Sequence, residues 1–206
     1  MTYKLFYAHD SAAMVVRVLL EDIGAEYELI DTTIAKDVPR HADHLALNPN
    51  GWVPVLAWEG RAMYEAAAIT IYLTDLYPNA RLGPALDDPD RPLFLQTLVY
   101  FSNTVQTAFQ QYYYAERFAE DEAGCAGAMA RGVRRLRDVW QVVEDQIGDN
   151  PWTVGTQLTA VDVYLYMLTT WLDPDGGHPK VTDFPNVARI ADKVAQHPSV
   201  KEVYGV

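Results

Sequence analysis

Hydrophobic periodicity changes character once along this chain, near residue 78, and that change constrains the fold more than any other feature. Before it, strand-like and helix-like segments alternate. Tyr3–Tyr7 reads as a strand, 13–24 as a helix with Val15, Val18, Leu19 and Ile23 on one face and Gly24 as its stop, and Tyr27–Asp31 as a second strand. Residues 32–52 read as loop with a short helix. The runs 53–58 and 61–63 are two strands joined by the turn Glu59-Gly60, and 65–76 is a helix with Ile69, Tyr72, Leu73 and Leu76 on one stripe. After a proline-rich, acidic stretch only helical patterns remain. They are 93–118, a second helix along Met129, Val133, Leu136, Trp140, Val143 and Ile147, a third from Thr159 to about Trp171, and a last one over 185–196 ended by His197-Pro198. Thr159 with Asp162 three residues on is a capping-box variant. The expected architecture is therefore β-α-β-loop-β-β-α followed by an all-helical bundle.

Composition narrows the function classes. Half of the 206 residues are hydrophobic and 12% are aromatic, enough apolar surface to offset the entropy of ordering, so a disordered chain is excluded. The longest apolar runs, such as 12–16, fall far short of the roughly 20 residues of a membrane-spanning helix. The opening stretch Thr2-Tyr3-Lys4-Leu5 lacks the apolar core of a signal peptide, which gives a cytoplasmic location as the expectation. A net charge of −12 without a basic face repels phosphate backbones and argues against nucleic acid as a partner. The one dense basic cluster, Arg131, Arg134, Arg135 and Arg137, sits in a helical pattern and reads as a solvated face. The single cysteine, Cys125, removes internal disulfides, Cys-x-x-Cys redox chemistry and multi-cysteine zinc sites. It stands four residues before Met129 and reads as a small buried hydrophobe rather than a nucleophile. No metal site is expected.

Two stretches carry a resemblance: Asn48-Pro49-Asn50-Gly51-Trp52-Val53-Pro54-Val55-Leu56, and Tyr64-Glu65-Ala66-Ala67-Ala68-Ile69-Thr70-Ile71-Tyr72-Leu73. With the capped Leu158-Thr159-Ala160-Val161-Asp162 segment, Phe184-Pro185-Asn186 and His197-Pro198-Ser199-Val200, they resemble the cytosolic glutathione transferase family over essentially the whole chain. The resemblance implies an α/β thioredoxin-like N-terminal domain over 1–79, a linker at 80–90 and an all-α C-terminal domain over 91–206. It implies glutathione as co-substrate, a cis proline at Pro54, and Val53 presenting its backbone to the cysteinyl part of glutathione like a strand edge. Glu65 and Ala66 would take the γ-glutamyl end at a helix N-terminus. The commonest family pattern has serine at position 66, so Ala66 keeps the N–H and loses one hydroxyl bond, a difference of about 0.5–1.5 kcal/mol in binding. Trp52, Lys36, Arg40, His41 and His44 are candidates for the glycyl carboxylate.

The family also needs a donor that favours thiolate over thiol, since a free thiol has a pKa of about 8.5. Ser11, just before the first helix, is the leading candidate, with simple capping of that helix as its other reading. Tyr7 is the second candidate, with a strand-end core tyrosine as its other reading. Ala12 at the usual cysteine position excludes cysteine-type chemistry. His9 and Asp10 touch substrate or only shape the turn. The resemblance puts the electrophile between the domains, against Phe109, Tyr112, Tyr113, Tyr114 and Phe118 of the first long helix. It implies a homodimer too, with Leu95, Leu98 and Val99 either as an apolar face for it or equally as core within the chain. The expected activity is conjugation of the glutathione thiolate to a hydrophobic electrophile. Glutathione-dependent isomerisation, dehalogenation or ether cleavage, and a non-catalytic binding module, are the alternatives.

Overall fold

Alternation of side chains along a strand makes β1 (Tyr3–Tyr7) present Tyr3, Leu5 and Tyr7 to one side and Lys4 and Phe6 to the other. It is an inner strand of a four-stranded sheet of order β2-β1-β3-β4, with β2 at Tyr27–Asp31, β3 at Val55–Trp58 and β4 at Arg61–Tyr64. β1 runs parallel to β2 and antiparallel to β3, and β3 is antiparallel to β4. In this computed structural model residues 2–205 are described. They form two compact units, Met1–Arg91 with Ala195–Val206, and Pro92–Val194.

In the first unit, α1 (Ala13–Asp22) and α3 (Ala66–Leu76) cover the Tyr3 side of the sheet, where Trp58 stacks on Tyr72 and the Tyr3 and Tyr77 hydroxyls meet at 3.0 Å. The short α2 (Ala42–Leu47) covers the Phe6 side, where the His44 ring stacks on Phe6. Glu59 and Gly60 both take positive φ in the β3–β4 turn, as a two-residue hairpin requires. The 53–58 strand expected from sequence starts two residues later, at Val55. Pro54 has no N–H for the ladder, and the Val53–Pro54 bond is cis. Arg91 grips both carboxylate oxygens of Asp75 (2.9 and 3.0 Å) and the Pro84 carbonyl (3.2 Å), which ties the proline-rich stretch to α3.

The second unit is all-helical: α4 (Arg91–Tyr100), α5 (Gln106–Tyr113), α6 (Glu122–Ile147), α7 (Ala160–Thr169) and α8 (Pro185–Ala195). A π-helical turn, Phe101–Val105, separates α4 from α5, so the single helix expected over 93–118 is interrupted there and closes with a 3₁₀ turn at Ala115–Arg117. The sequence hides the interruption because Phe94, Leu98, Phe101, Val105 and Phe109 stay on the buried side across it. Gly132 lets α5 and α6 approach closely: a Cβ there would lie 2.9 Å from the Ala108 carbonyl oxygen and 3.0 Å from the Tyr112 nitrogen. Glu144, buried in α6, accepts the backbone N–H groups of Asn186 (2.9 Å) and Val187 (3.0 Å) and so caps α8. The Thr159–Asp162 capping box forms. Asp162 accepts the Thr159 and Thr153 N–H groups, both at 2.8 Å.

Two further expectations change, and an open alternative is decided. A further helix, α9 (Pro198–Tyr204), follows the His197-Pro198 stop, with Pro198 in its first turn. It belongs with the first unit rather than with a helical domain running to the end of the chain, because it lies on α1. His197 Nε2 donates to Asp22 Oδ1 at 2.7 Å, and Ser199 donates to the same oxygen at 2.5 Å. Second, Cys125 is only half-buried and Met129 is exposed, because the buried stripe of α6 starts at Ala128. As for the alternative, Leu95, Leu98 and Val99 do not form one exposed apolar face. Leu98 is fully buried in the core, Leu95 half-buried, and only Val99 is open to solvent.

Candidate functional site

Register decides which residues meet. Phe6 pairs with Val55, and Val55 pairs with Tyr64. The end of β1, the start of β3 and the end of β4 therefore share one edge of the sheet, and the segments beyond them gather there. These are Tyr7–Ser11 (7–11) after β1, Val53-Pro54 before β3, and Glu65-Ala66 after β4. Two helices start from this edge, α1 and α3.

The start of α3 has no side-chain cap, so the N–H groups of its first turn point out unsatisfied by the helix. Its N-cap residue, Glu65, is exposed and held at φ 74°, a left-handed conformation that costs a non-glycine residue of order 1–3 kcal/mol. Ala66 is buried against the fold with its backbone as the first helical unit. An uncapped helix start with an acid beside it can take a zwitterionic amino-acid end, carboxylate on the N–H groups and ammonium on the acid.

The approach to Pro54 is fixed by side chains from α2 and the loop before it. The Trp52 carbonyl accepts from Asn48 Nδ2 at 2.9 Å and from His44 Nε2 at 3.0 Å. The Gly51 carbonyl accepts from Arg40 Nε at 3.0 Å, and Arg40 Nη1 also holds the Ala35 and Val38 carbonyls. Gly51 itself is at φ 66°, and a Cβ there would lie 2.9 Å from Arg40 Cγ. Of the candidates for a glycyl carboxylate, His44 is fully buried with both ring nitrogens turned to protein atoms, and Arg40 is committed to the loop. Lys36 and His41 lie on the surface and Trp52 is 46% exposed.

Ser11 is buried at the start of α1. Its hydroxyl donates to the Ala8 carbonyl at 2.6 Å and accepts the Ala13 N–H at 3.2 Å. Tyr7 shares the Tyr3 side of β1, with the Arg17 guanidinium 5.5 Å from its ring centroid, so the ring belongs to the layer between sheet and α1. His9 and Asp10 are exposed and pair with each other at 3.0 Å, with Asp10 at φ 56°.

In the second unit Phe109, Tyr112 and Tyr113 do come together, joined by Trp171 and His178, which sequence reading missed. Phe109 is 1% exposed and is core, whereas Tyr113 is 39% exposed and Tyr112 half-buried. The Tyr113 hydroxyl donates to the Trp171 carbonyl (2.8 Å), and burial, helped by the negative Asp173, pushes its pKa up to about 12, so it stays protonated at neutral pH. Burial lowers the His178 pKa, and its Nδ1 accepts the Asp173 N–H at 3.1 Å, which leaves the proton on Nε2. No sequence spacing signals His178, 65 or more residues from its aromatic neighbours on α5. Among the described residues no group of three or more His, Cys, Asp or Glu side chains could hold a metal ion, and no helix is long and apolar enough to cross a membrane.

A sheet edge with two helix starts and a cis-proline loop, followed by a helical unit, is the arrangement of a thiol-peptide-binding transferase fold. The chain belongs to the glutathione S-transferase family. Residues 1–75 match the family's N-terminal domain and 126–193 its C-terminal domain. An uncharacterized GST-like protein of Escherichia coli K12, YncG, is 35% identical over 159 residues, 76% of this chain and 74% of its own. A maleylacetoacetate isomerase of Pseudomonas aeruginosa is 27% identical over 216 residues, covering 98% of this chain and 95% of its own. Among solved structures, a sphingomonad glutathione S-transferase complexed with glutathione superposes with a TM-score of 0.84 at 24% identity, over 98% of this chain and 97% of that one.

Proposed function

We propose that the protein binds glutathione along the sheet edge and directs its thiolate at a hydrophobic electrophile. One observation carries this reading: the uncapped start of α3, with Glu65 at positive φ, lies at the same edge as the start of α1 and the Val53 backbone. The γ-glutamyl carboxylate then sits on the N–H groups from Ala66 onward and its ammonium on Glu65. The cysteinyl part runs along Val53 beside Pro54, and the glycyl carboxylate lies toward Trp52 and Lys36. The sulfur comes to the start of α1, whose dipole favours negative charge.

Ser11 is the proposed thiolate donor. Its proton moves from the Ala8 carbonyl to the sulfur when the ligand binds, because a hydrogen bond to an anion is stronger than one to a neutral carbonyl. The thiol proton leaves to solvent, a carbon–sulfur bond forms to the electrophile, and a leaving group or a developing carbanion takes up the electron pair. Tyr112 and Tyr113 are the proposed electrophile contacts, with His9 at the thiol end; Tyr7 is the alternative donor. The assembly implied by the family is a homodimer. Sedimentation at twice the mass of 23.2 kDa supports it, and a single-chain mass overturns it.

The test is the ionisation of bound glutathione, followed by thiolate absorbance, in wild type, Ser11→Ala and Tyr7→Phe, together with turnover of a panel of aryl halides, enones and epoxides. Wild type is expected to ionise the thiol below its free pKa of about 8.5, Ser11→Ala to raise that value and lower kcat/KM by about a hundredfold, and Tyr7→Phe to leave both within about twofold. Equal behaviour of wild type and Ser11→Ala overturns the assignment of Ser11. No turnover of any electrophile by wild type overturns the transferase reading.

A further inference from the structure

We propose that His44 is a positioning residue of this site: together with Asn48 it clamps the Trp52 carbonyl and so aims the Val53 N–H at the ligand. The proposal rests on the glutathione reading above, in which Val53 supplies the backbone contact.

The geometry is that of a single peptide plane. The Trp52 carbonyl and the Val53 N–H belong to one planar unit, and the bond between them is not among the cis bonds of the chain, so the two groups point in opposite directions. Whatever fixes the carbonyl fixes the N–H. Two donors hold that carbonyl, His44 Nε2 at 3.0 Å and Asn48 Nδ2 at 2.9 Å, spaced i, i+4 at α2 and its C-cap. Both side chains are buried, His44 completely. With the carbonyl drawn toward α2, the Val53 N–H faces away from it, and no backbone partner holds it among the described residues.

His44 is itself held on every side. Because Nε2 faces a carbonyl it must carry the proton, which leaves Nδ1 as the acceptor for the Thr32 hydroxyl at 3.4 Å. Thr32 in turn donates its N–H to the Tyr7 carbonyl at 2.9 Å, and the imidazole stacks on Phe6, 5.5 Å between centroids and 21° between planes. The ring therefore links the ends of β1 and β2 to the loop before Pro54. Phenylalanine would fill the stack, but only a residue with a ring N–H or its equivalent also holds the carbonyl. That combination separates positioning from packing.

The experiment compares His44→Phe, which keeps the stack and loses the donor, with His44→Gln, which loses the stack and keeps an amide N–H at similar reach. The readouts are glutathione affinity, KM and kcat, and the backbone order parameter of the Val53 amide in the ligand-free protein. In His44→Phe the glutathione KM and Kd rise about tenfold while kcat at saturation changes less than about twofold, and the Val53 order parameter falls from about 0.85 toward 0.6. In His44→Gln most of the affinity and order return. The reverse ranking, with His44→Phe near wild type and His44→Gln impaired, assigns the residue to packing and overturns the proposal. An unchanged Val53 order parameter in His44→Phe also overturns it, whether or not glutathione binds. Absence of glutathione binding by wild type instead removes the reading of the site, and the order parameter still decides whether His44 aims the peptide.

Discussion

A hydroxyl carries one proton, and at Ser11 that proton is given to the Ala8 carbonyl. The Ser11 oxygen also accepts the Ala13 N–H, so the side chain closes the β1–α1 turn. Removing it therefore has two effects on different scales. Ser11→Ala should cost about 1 kcal/mol of folding stability as a lost cap, read by urea unfolding, in addition to its effect on the thiol. A stability loss without any change in thiol ionisation would leave Ser11 as a cap alone. Tyr7 differs because its ring lies under Arg17, where the hydroxyl adds little to the contact. Of the proposed site residues, those legible in sequence are the ones set by local chain chemistry. Val53, Pro54, Glu65 and Ala66 are marked by proline and helix-start chemistry, which depends on a few neighbours in the chain. In sequence His44 is one of several loop candidates for a carboxylate, and only the fold shows that residue 44 faces Phe6 and the Trp52 carbonyl. The His44–Asn48 spacing on a short helix was the one available signal.

Helix ends and crossings carry much of the local specificity. Glu144 satisfies the first turn of α8 from another helix, with Asn186 Nδ2 adding a further bond at 2.8 Å. Glu144→Ala leaves those N–H groups buried or forces a rearrangement, and should lower stability by about 3 kcal/mol in urea unfolding. A loss under about 0.5 kcal/mol would contradict the cap. Gly132→Ala should cost about 2 kcal/mol, because the added methyl meets the backbone of α5 rather than a movable side chain. The fastening of α9 responds to pH. The bond to Asp22 raises the His197 pKa above its ordinary 6.5, against an opposing effect of burial. The folded state then holds the proton more tightly than the unfolded chain. The contribution is present in full below pH 6.5 and is lost as pH rises through the folded value. Unfolding of wild type and His197→Asn across pH 5.5 to about 8.5 should show a difference that shrinks with rising pH. A constant difference would contradict the charged tether. α9 was illegible in sequence because His197-Pro198 reads equally as the stop of one helix and the start of the next, and only the contact with Asp22 settles which side of the break the chain then packs on.

Across the whole molecule, sequence pattern and structure agree where burial is periodic and differ where helices meet. The β-α-β-loop-β-β-α order, the hairpin at Glu59-Gly60 and the capped start of α7 all follow from local patterns. The π turn at Phe101–Val105 leaves the buried stripe unbroken, and the half-exposed Cys125 precedes the first buried position of α6 at Ala128, so neither is recorded in the apolar spacing. The acidic balance of the chain acts at this scale too. With a net charge of −12, long-range attraction toward another anion is absent, so capture of the doubly carboxylated tripeptide relies on helix starts and backbone groups at short range. Affinity should accordingly be modest. The central claim is that the sheet edge formed by Ser11, Val53, Glu65 and Ala66 is a glutathione site, and calorimetric titration of the wild-type protein with glutathione and with S-methylglutathione tests it most directly. The account predicts saturable binding of both, one ligand per chain, with Kd between about 10 µM and 1 mM. No saturable heat from either ligand at several times that concentration would contradict it.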